Sequence, residues 1–337
     1  VTSLELNSDK IMCSAHTPDS QPHSSFVPKV SVVVPIYNGA ADIPDLIQCL
    51  FSQTYPKDQV EYLLVDNNSR DRTPDILHQA AQDAKSQGIT LHTLTENQIQ
   101  SSYAARNTGI KASTGEILAF TDADCRPLPQ WLSLLVQPFA NPQIGLVVGE
   151  ISALPGKTLL EKHAERQGTL SQKNTLDHPF YPYGQTANLA IRRQALQEVG
   201  LFRPYMTTGG DADICWRIQR QTQWQLDFAE TAVVQHRHRT NLKEFRSQWQ
   251  RYGRSNKYLH ELHGVELQPK LTSKKSFYLI SRWLLKELPI TSGQVIAGKA
   301  SFGDIIKTPI NLYGAWYRDL GQNQTQLDEK ANEIDWL

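Results

Sequence analysis

The sequence has little cysteine, almost no methionine, no net charge and no long apolar run. Four cysteines, Cys13, Cys49, Cys125 and Cys215, are scattered through 337 residues without a Cys-x-x-Cys pair. That spacing excludes a zinc ribbon or a disulfide-held scaffold and points to a reducing, cytoplasmic setting. Bases and acids balance at 34 each, which excludes a nucleic-acid groove built on bulk positive charge. No stretch approaches the ~20 apolar residues that a membrane-spanning helix needs. The first residues carry acids and no apolar core, so a secretory signal is not expected. Internal repeats and low-complexity tracts are absent too. What remains is an ordinary globular composition, 39% hydrophobic and 20% charged, with length enough for one large domain or two smaller ones.

Residues 1–28 are polar and mixed, and read as a flexible arm. From Lys29 the chain alternates. Val30 to Val34 is a β-branched run closed by Pro35, with Tyr37-Asn38-Gly39 as the turn. Ile43, Leu46, Ile47 and Leu50 then recur at helical spacing. Val60 to Val65 is a second strand, stopped by Asp66. Thr73 before Pro74 reads as the cap of a second helix. Ile89 to Leu94 is a third strand, Ser101 or Ser102 caps a helix over Tyr103 to Ala112, and Ile117 to Thr121 is a fourth strand. Strand–helix alternation with short loops predicts an α/β fold, a mainly parallel doubly wound sheet with right-handed crossovers. Tyr37, Asp66 and the pair Asp122/Asp124 then share one sheet edge. Beyond Asp124 the alternation loosens. Helices are expected over Trp131 to Phe139, Leu159 to Gln172 and Gln194 to Val199, and a strand over Thr186 to Ile191. From Leu242 onward the pattern is helical.

Two carboxylates one residue apart, Asp122 and Asp124, end a buried strand. Ligands bind at such strand ends in open α/β sheets. Acids so spaced can give oxygen ligands to Mg²⁺, whose shell is completed by water and substrate phosphates. The plain alternative is a solvated turn.

In this order, Val32-Val33-Val34-Pro35-Ile36-Tyr37-Asn38, Asp66-Asn67-Asn68-Ser69, Ala105-Arg106-Asn107, Asp122-Ala123-Asp124, Asn188-Leu189-Ala190-Ile191 and Gly210-Asp211-Ala212-Asp213 resemble the motifs of glycosyltransferase family 2, nucleotide-sugar enzymes of the GT-A fold. The resemblance spans about Lys29 to Gly253. It implies an inverting, metal-dependent transfer from a nucleotide sugar to a saccharide or lipid-linked acceptor, in polysaccharide or glycoconjugate biosynthesis. It places Pro35, Tyr37, Asp66, Ser102 and Asp122 at the nucleotide. An imide N–H donated to Asp66 favours uracil or thymine, hence a UDP or dTDP donor. Asp124 matches the direct ligand of Mg²⁺ or Mn²⁺, and His236, first after an apolar strand, matches a histidine that reaches the metal or the diphosphate. Imidazole suits Mn²⁺ better than Mg²⁺. Asp211 matches the general base, although the family usually shows Glu-Asp where this chain has Gly210-Asp211; an N-cap is its plain reading. Arg217, Arg237, Gln248 and Arg251 are expected at the acceptor or the diphosphate, Gln248-x-x-Arg251-Tyr252 echoing the Gln-x-x-Arg-Trp of processive synthases. A solvated basic loop is the other reading of His236 to Arg239.

The expected organisation is an arm over 1–28, a GT-A domain over 29–240 and a mainly helical extension over 241–337. The GT-A domain divides into a nucleotide-sugar half, 29–125, and an acceptor half, 126–240. In the extension, Phe277, Tyr278, Ile280, Trp283, Leu284 and Leu285 mix with Lys274, Lys275, Arg282 and Lys286. Such a helix either packs on protein or lies on the inner face of a membrane as a peripheral contact. A non-catalytic sugar-nucleotide binder of the same fold is the competing reading of the whole.

Overall fold

The computed structural model describes residues 26–337; most of the arm expected over 1–28 lies outside the described residues. The first half runs β1 (Val30–Ile36), α1 (Ile43–Phe51), β2 (Val60–Asp66), α2 (Thr73–Ser86), β3 (Thr90–Thr95), α3 (Ser102–Ala112) and β4 (Ile117–Phe120). Then follow β5 (Cys125–Pro127), α4 (Trp131–Val136), β6 (Ile144–Ala153), α5 (Leu159–Arg166), α6 (Lys173–Leu176), β7 (Leu189–Arg192), α7 (Arg193–Val199), α8 (Gly210–Gln221) and β8 (Gln225–His236). The remainder is helical: α9 (Leu242–His263), α10 (Ser273–Arg282), α11 (Leu288–Ile296), α12 (Phe302–Ile305) and α13 (Lys307–Gln324).

Eight strands form one sheet in the order β3-β2-β1-β4-β7-β6-β8-β5. The first four are parallel neighbours, as alternation with helices requires. Past β4 the sheet is antiparallel where β7 meets β4 and β6, and where β5 meets β8. The run Val30, Val32, Val33, Val34 and Ile36 is at most 1% exposed, as expected of a strand covered on both faces. Pro35 is tolerated in this central strand because β4 pairs only with Val30 to Val33. Buried Asn188 ties the second half together. It accepts from Trp131 Nε1 (2.7 Å) and donates to the carbonyls of Glu150 and Ala232.

Local chemistry sets several boundaries. Thr73 lies inside α2 instead of capping it. Asp71 accepts the Thr73 N–H (3.0 Å) and hydroxyl, while Thr73 Oγ1 accepts from Gly39 N. The helix expected to reach Gln172 stops at Arg166, because Gly168 and Leu170 take left-handed conformations at φ 58° and 75°. Asn188 closes a short 3₁₀ turn, so β7 begins only at Leu189.

By contacts the chain divides into two compact units. Among the described residues, the first holds 26–152, 170–236 and 330–337; the second holds 153–169 and 237–329. The first contains the sheet. Its closing segment straps back onto it: Asp335 accepts from Lys111 Nζ (2.6 Å) and from the Leu201 N–H (2.7 Å) through its carbonyl. Arg203 donates to the Asn332 carbonyl, and Ile334 packs where a side chain on Gly200 would stand. In the second unit Leu160, Phe245 and Ile310 form a small core flanked by Trp249, Ile306 and Tyr313. There α9 and α13 cross at Gly253 and Gly321, where an added Cβ would meet carbonyl oxygens of Arg318 and Gln250 at 1.9 and 2.1 Å. Among the described residues no helix is long and apolar enough to cross a membrane.

Candidate active site

The parallel register aligns the ends of β1 and β2, with Ile36 opposite Asp66. The loops that follow are laced together. The Asn38 N–H donates to Ser69 Oγ (2.8 Å), the Arg70 N–H to Asn38 Oδ1 (2.8 Å), and the Ser69 N–H to Asp66 Oδ1 (3.2 Å). Asn38 and Asn68 supply the left-handed turns, at φ 49° and 62°. Above this frame Tyr37 is 51% exposed, an aromatic face open to a ligand, while Asp66 is 7% exposed. Pro35 is buried within β1 beside Val65, so it shapes the strand end and presents no surface to a nucleotide. Of the two serines at the start of α3, Ser101 does the capping: it accepts from the Tyr103 N–H (3.2 Å) and donates to the Met206 carbonyl (2.7 Å). Ser102 is exposed.

Just past β4, Asp122 Oδ1 accepts from Arg106 Nη2 at 2.6 Å. The Arg106 side chain is 4% exposed and its guanidinium lies 5.5 Å from the Tyr103 ring centroid. Asp124, two residues on, stands 3.3 Å from His236 Nε2. The antiparallel pairing of Cys125 with His236 sets that distance. Ligand atoms of Asp124, Cys125 and His236 lie within 4.8 Å of one another. Burial pushes the Cys125 thiol well above its ordinary pKa, and the charges of Asp124 and Asp122 add to the effect.

Asp211 is the second residue of α8, whose cap is Gly209 in a left-handed conformation at φ 81° with no side-chain cap. Asp211 is therefore not the N-cap. Its Oδ1 accepts from Thr186 Oγ1 at 2.9 Å. Burial raises its pKa, the Arg106 guanidinium opposes that rise, and the Asp122 charge adds to it. Asp122 thus acts on both Asp211 and Cys125, so the acids after β4 and the acid opening α8 surround one region of the first unit. Tyr103 belongs to the same cluster. Burial and then the Asp211 charge hold its phenol protonated, and its oxygen accepts from the Gly210 N–H at 2.9 Å. A Cβ on Gly210 would stand 2.7 Å from Tyr103 Cζ. A side chain at position 210 would therefore collide with this ring.

One expected residue of the first unit is turned away from this cluster. Arg217 is 2% exposed and its donors are consumed: Nε by Asp213 (3.0 Å), Nη1 by the Val199 carbonyl (2.6 Å), Nη2 by that of Leu201 (2.6 Å). It therefore reaches neither acceptor nor diphosphate. Asp213, fully buried, is the counter-ion of Arg217 and Arg203. Arg237, Gln248 and Arg251 belong to the second unit, where Gln248 donates to the Tyr252 hydroxyl (3.0 Å) and Arg251 is exposed. Sequence reasoning gave no role to Arg106, Thr186 or Tyr103. The available signals were the motif Ala105-Arg106-Asn107 and the spacing of Tyr103 and Arg106 at i, i+3, one face of α3.

This fold, with its carboxylates gathered past one parallel strand end, defines a glycosyltransferase of the GT-A type. Comparison with known proteins agrees. The family profile "Glycosyl transferase family 2" matches residues 31–200, and "Glycosyl transferase family group 2" matches 117–302. The glycosyltransferase AglE of Haloferax volcanii is 36% identical over 224 residues, 63% of this chain and 68% of that protein. The pre-mycofactocin glycosyltransferase of Mycobacterium tuberculosis is 26% identical over 271 residues, so that 79% of this chain spans only 54% of that relative. In fold, the chain resembles the mannosyltransferase PcManGT from Pyrobaculum calidifontis, solved with GDP-Man and Mn²⁺, at TM-score 0.62 and 20% identity over 91% of each chain. The chain belongs to glycosyl transferase family 2.

Proposed function

We propose that the chain transfers a sugar, with inversion, from a nucleotide-sugar donor to a hydroxyl of a saccharide or lipid-linked acceptor. One observation carries the reading: the Asp211 carboxylate, held by the Thr186 hydroxyl, shares a region with the Arg106–Asp122 ion pair past β4. Asp211 takes the proton of the acceptor hydroxyl. The acceptor oxygen then bonds the anomeric carbon from the side opposite the diphosphate. The old C–O bond breaks, and its electron pair leaves with the nucleoside diphosphate. Burial raises the affinity of Asp211 for that proton, and Arg106 keeps the empty base from being too costly to hold. Arg106 also fixes Asp122 for the ribose, as a buried guanidinium can.

Tyr37 is open to stack on the base, and Asp66 accepts a ring N–H. That test selects UDP or dTDP over adenine and cytosine nucleotides. It also admits guanine, the base of the ligand bound by PcManGT. Asp124 and His236 fit a divalent cation. Asp124 Oδ1 and His236 Nε2, 3.3 Å apart, are close enough for both to hold one cation. The mixed oxygen–nitrogen set favours Mn²⁺ over Mg²⁺. When bound, the cation supplies positive charge against the leaving diphosphate. The three described cysteines are free thiols, which suits a cytoplasmic site for the reaction.

Asp211→Asn tests the assignment. Transfer should fall by about a hundredfold or more, while calorimetry shows the nucleotide still binding; undiminished turnover would refute the base. A thermal-shift screen of nucleotide sugars with Mn²⁺ identifies the donor by the one that stabilises the fold.

A further inference from the structure

The second unit carries a helix that a purely soluble domain would not leave bare. α10, a π turn over Trp283–Glu287 and α11 follow one another with helical backbone throughout, from Ser273 to Ile296, about 35 Å in length. Not one residue of the three elements is buried. Yet the segment holds Phe277 at 74% exposure, Tyr278 at 60%, Leu285 at 81% and Ile296 at 88%, with Leu284 and Ile290 near half. Phe277, Tyr278, Leu284 and Leu285, at spacing i, i+1, i+7 and i+8, share one face. Contiguous apolar exposure on this scale marks an interaction surface.

Charge selects the partner. The chain as a whole balances 34 bases against 34 acids. Between 270 and 299, however, the bases are Lys270, Lys274, Lys275, Arg282, Lys286 and Lys299, and the acid is Glu287 alone. Arg282 already pairs with Glu287 at 2.7 Å. Lys274, Lys275 and Lys286 enter no ion pair among the described residues. A second copy would bring the same positive segment against itself. An anionic surface with an apolar interior satisfies both the lysines and the rings.

We propose that the helix over 273–296 lies flat on an anionic phospholipid bilayer, with the Phe277–Leu285 face in the acyl boundary and the lysines at the headgroups. The inference does not rest on the transfer reading, because vesicle binding involves no turnover. The full chain should sediment with phosphatidylcholine vesicles that contain phosphatidylglycerol, not with phosphatidylcholine alone, and salt should weaken the binding. The double variant Phe277→Asp/Leu285→Asp and the triple variant Lys274→Glu/Lys275→Glu/Lys286→Glu should each lower vesicle affinity by about tenfold or more. Both should keep the wild-type melting temperature, since every altered side chain is exposed. Failure to sediment with the anionic vesicles, or binding by either variant as strong as that of the wild type, overturns the proposal. So does a concentration-dependent dimer in ultracentrifugation that Leu285→Asp dissociates, which would assign the face to a second copy.

Discussion

Arg106 is the residue on which the site's electrostatics turn. It neutralises Asp122 directly and holds down the proton affinity of Asp211, which burial and Asp122 push up. As the proposed base, Asp211 must be ionised to accept a proton, so activity should be lost as pH falls through its raised pKa. Replacing Arg106 by Met removes the one influence of a full charge that lowers that value. The acidic limb of the kcat/KM profile should therefore move to higher pH, and Arg106→Lys should bring it part of the way back; a limb that stays put in the Met variant sinks the assignment. At this scale the sequence is uneven evidence. The positions of Tyr37, Asp66, Asp122, Asp124 and Asp211, at strand ends and a helix start, are legible because motif order preserves them. Arg217 misleads, since an arginine turned inward against Asp213 and three carbonyls looks in sequence like one turned toward phosphate. Gly210 reads as a missing acid until the Tyr103 ring is seen against it.

Strands β1, β2 and β4 are plain in the sequence because each is buried along its whole length and so largely apolar, whereas the edge strand β3 is mostly exposed and half polar. Boundaries are less so: Asp71 takes the capping work expected of Thr73, and the left-handed pair Gly168 and Leu170 cuts short a helix whose spacing continues. The α9–α13 crossing was not visible at all, because a glycine on a helix announces close approach only when its partner is known. It yields a sharp contrast. Gly253→Ala forces a methyl into the Arg318 carbonyl and should cost about 3 kcal/mol. Gly293→Ala on α11, where an added Cβ meets nothing within 4 Å, should leave stability unchanged or raise it by about 0.5 kcal/mol. Thermal melts of the two variants decide it; equal behaviour means the helices do not pack as described.

For the whole molecule, the division expected at residue 240 follows composition, whereas the two units follow contacts. Residues 153–169 leave the first unit for the second, and 330–337 return. The returning segment grips Leu201 and Lys111, and Arg203 of the same loop pairs with Asp213 on α8. Ending the chain after residue 329 should then lower stability by about 2 kcal/mol, a fall of about 5 °C in melting temperature. It should also reduce turnover more than it weakens donor binding. A truncated chain with normal kcat would show that the strap only decorates the surface.

That threading also sets a timetable. On the ribosome the parallel strands β1 to β4 can assemble early, but the stretch carrying Leu160 has to wait for Phe245 and Ile310, more than 80 residues downstream, before it finds its core. Closing so wide a loop is slow, and exposed apolar surface during the delay invites aggregation. Folding of the second unit during synthesis should therefore be sensitive to the pace of translation.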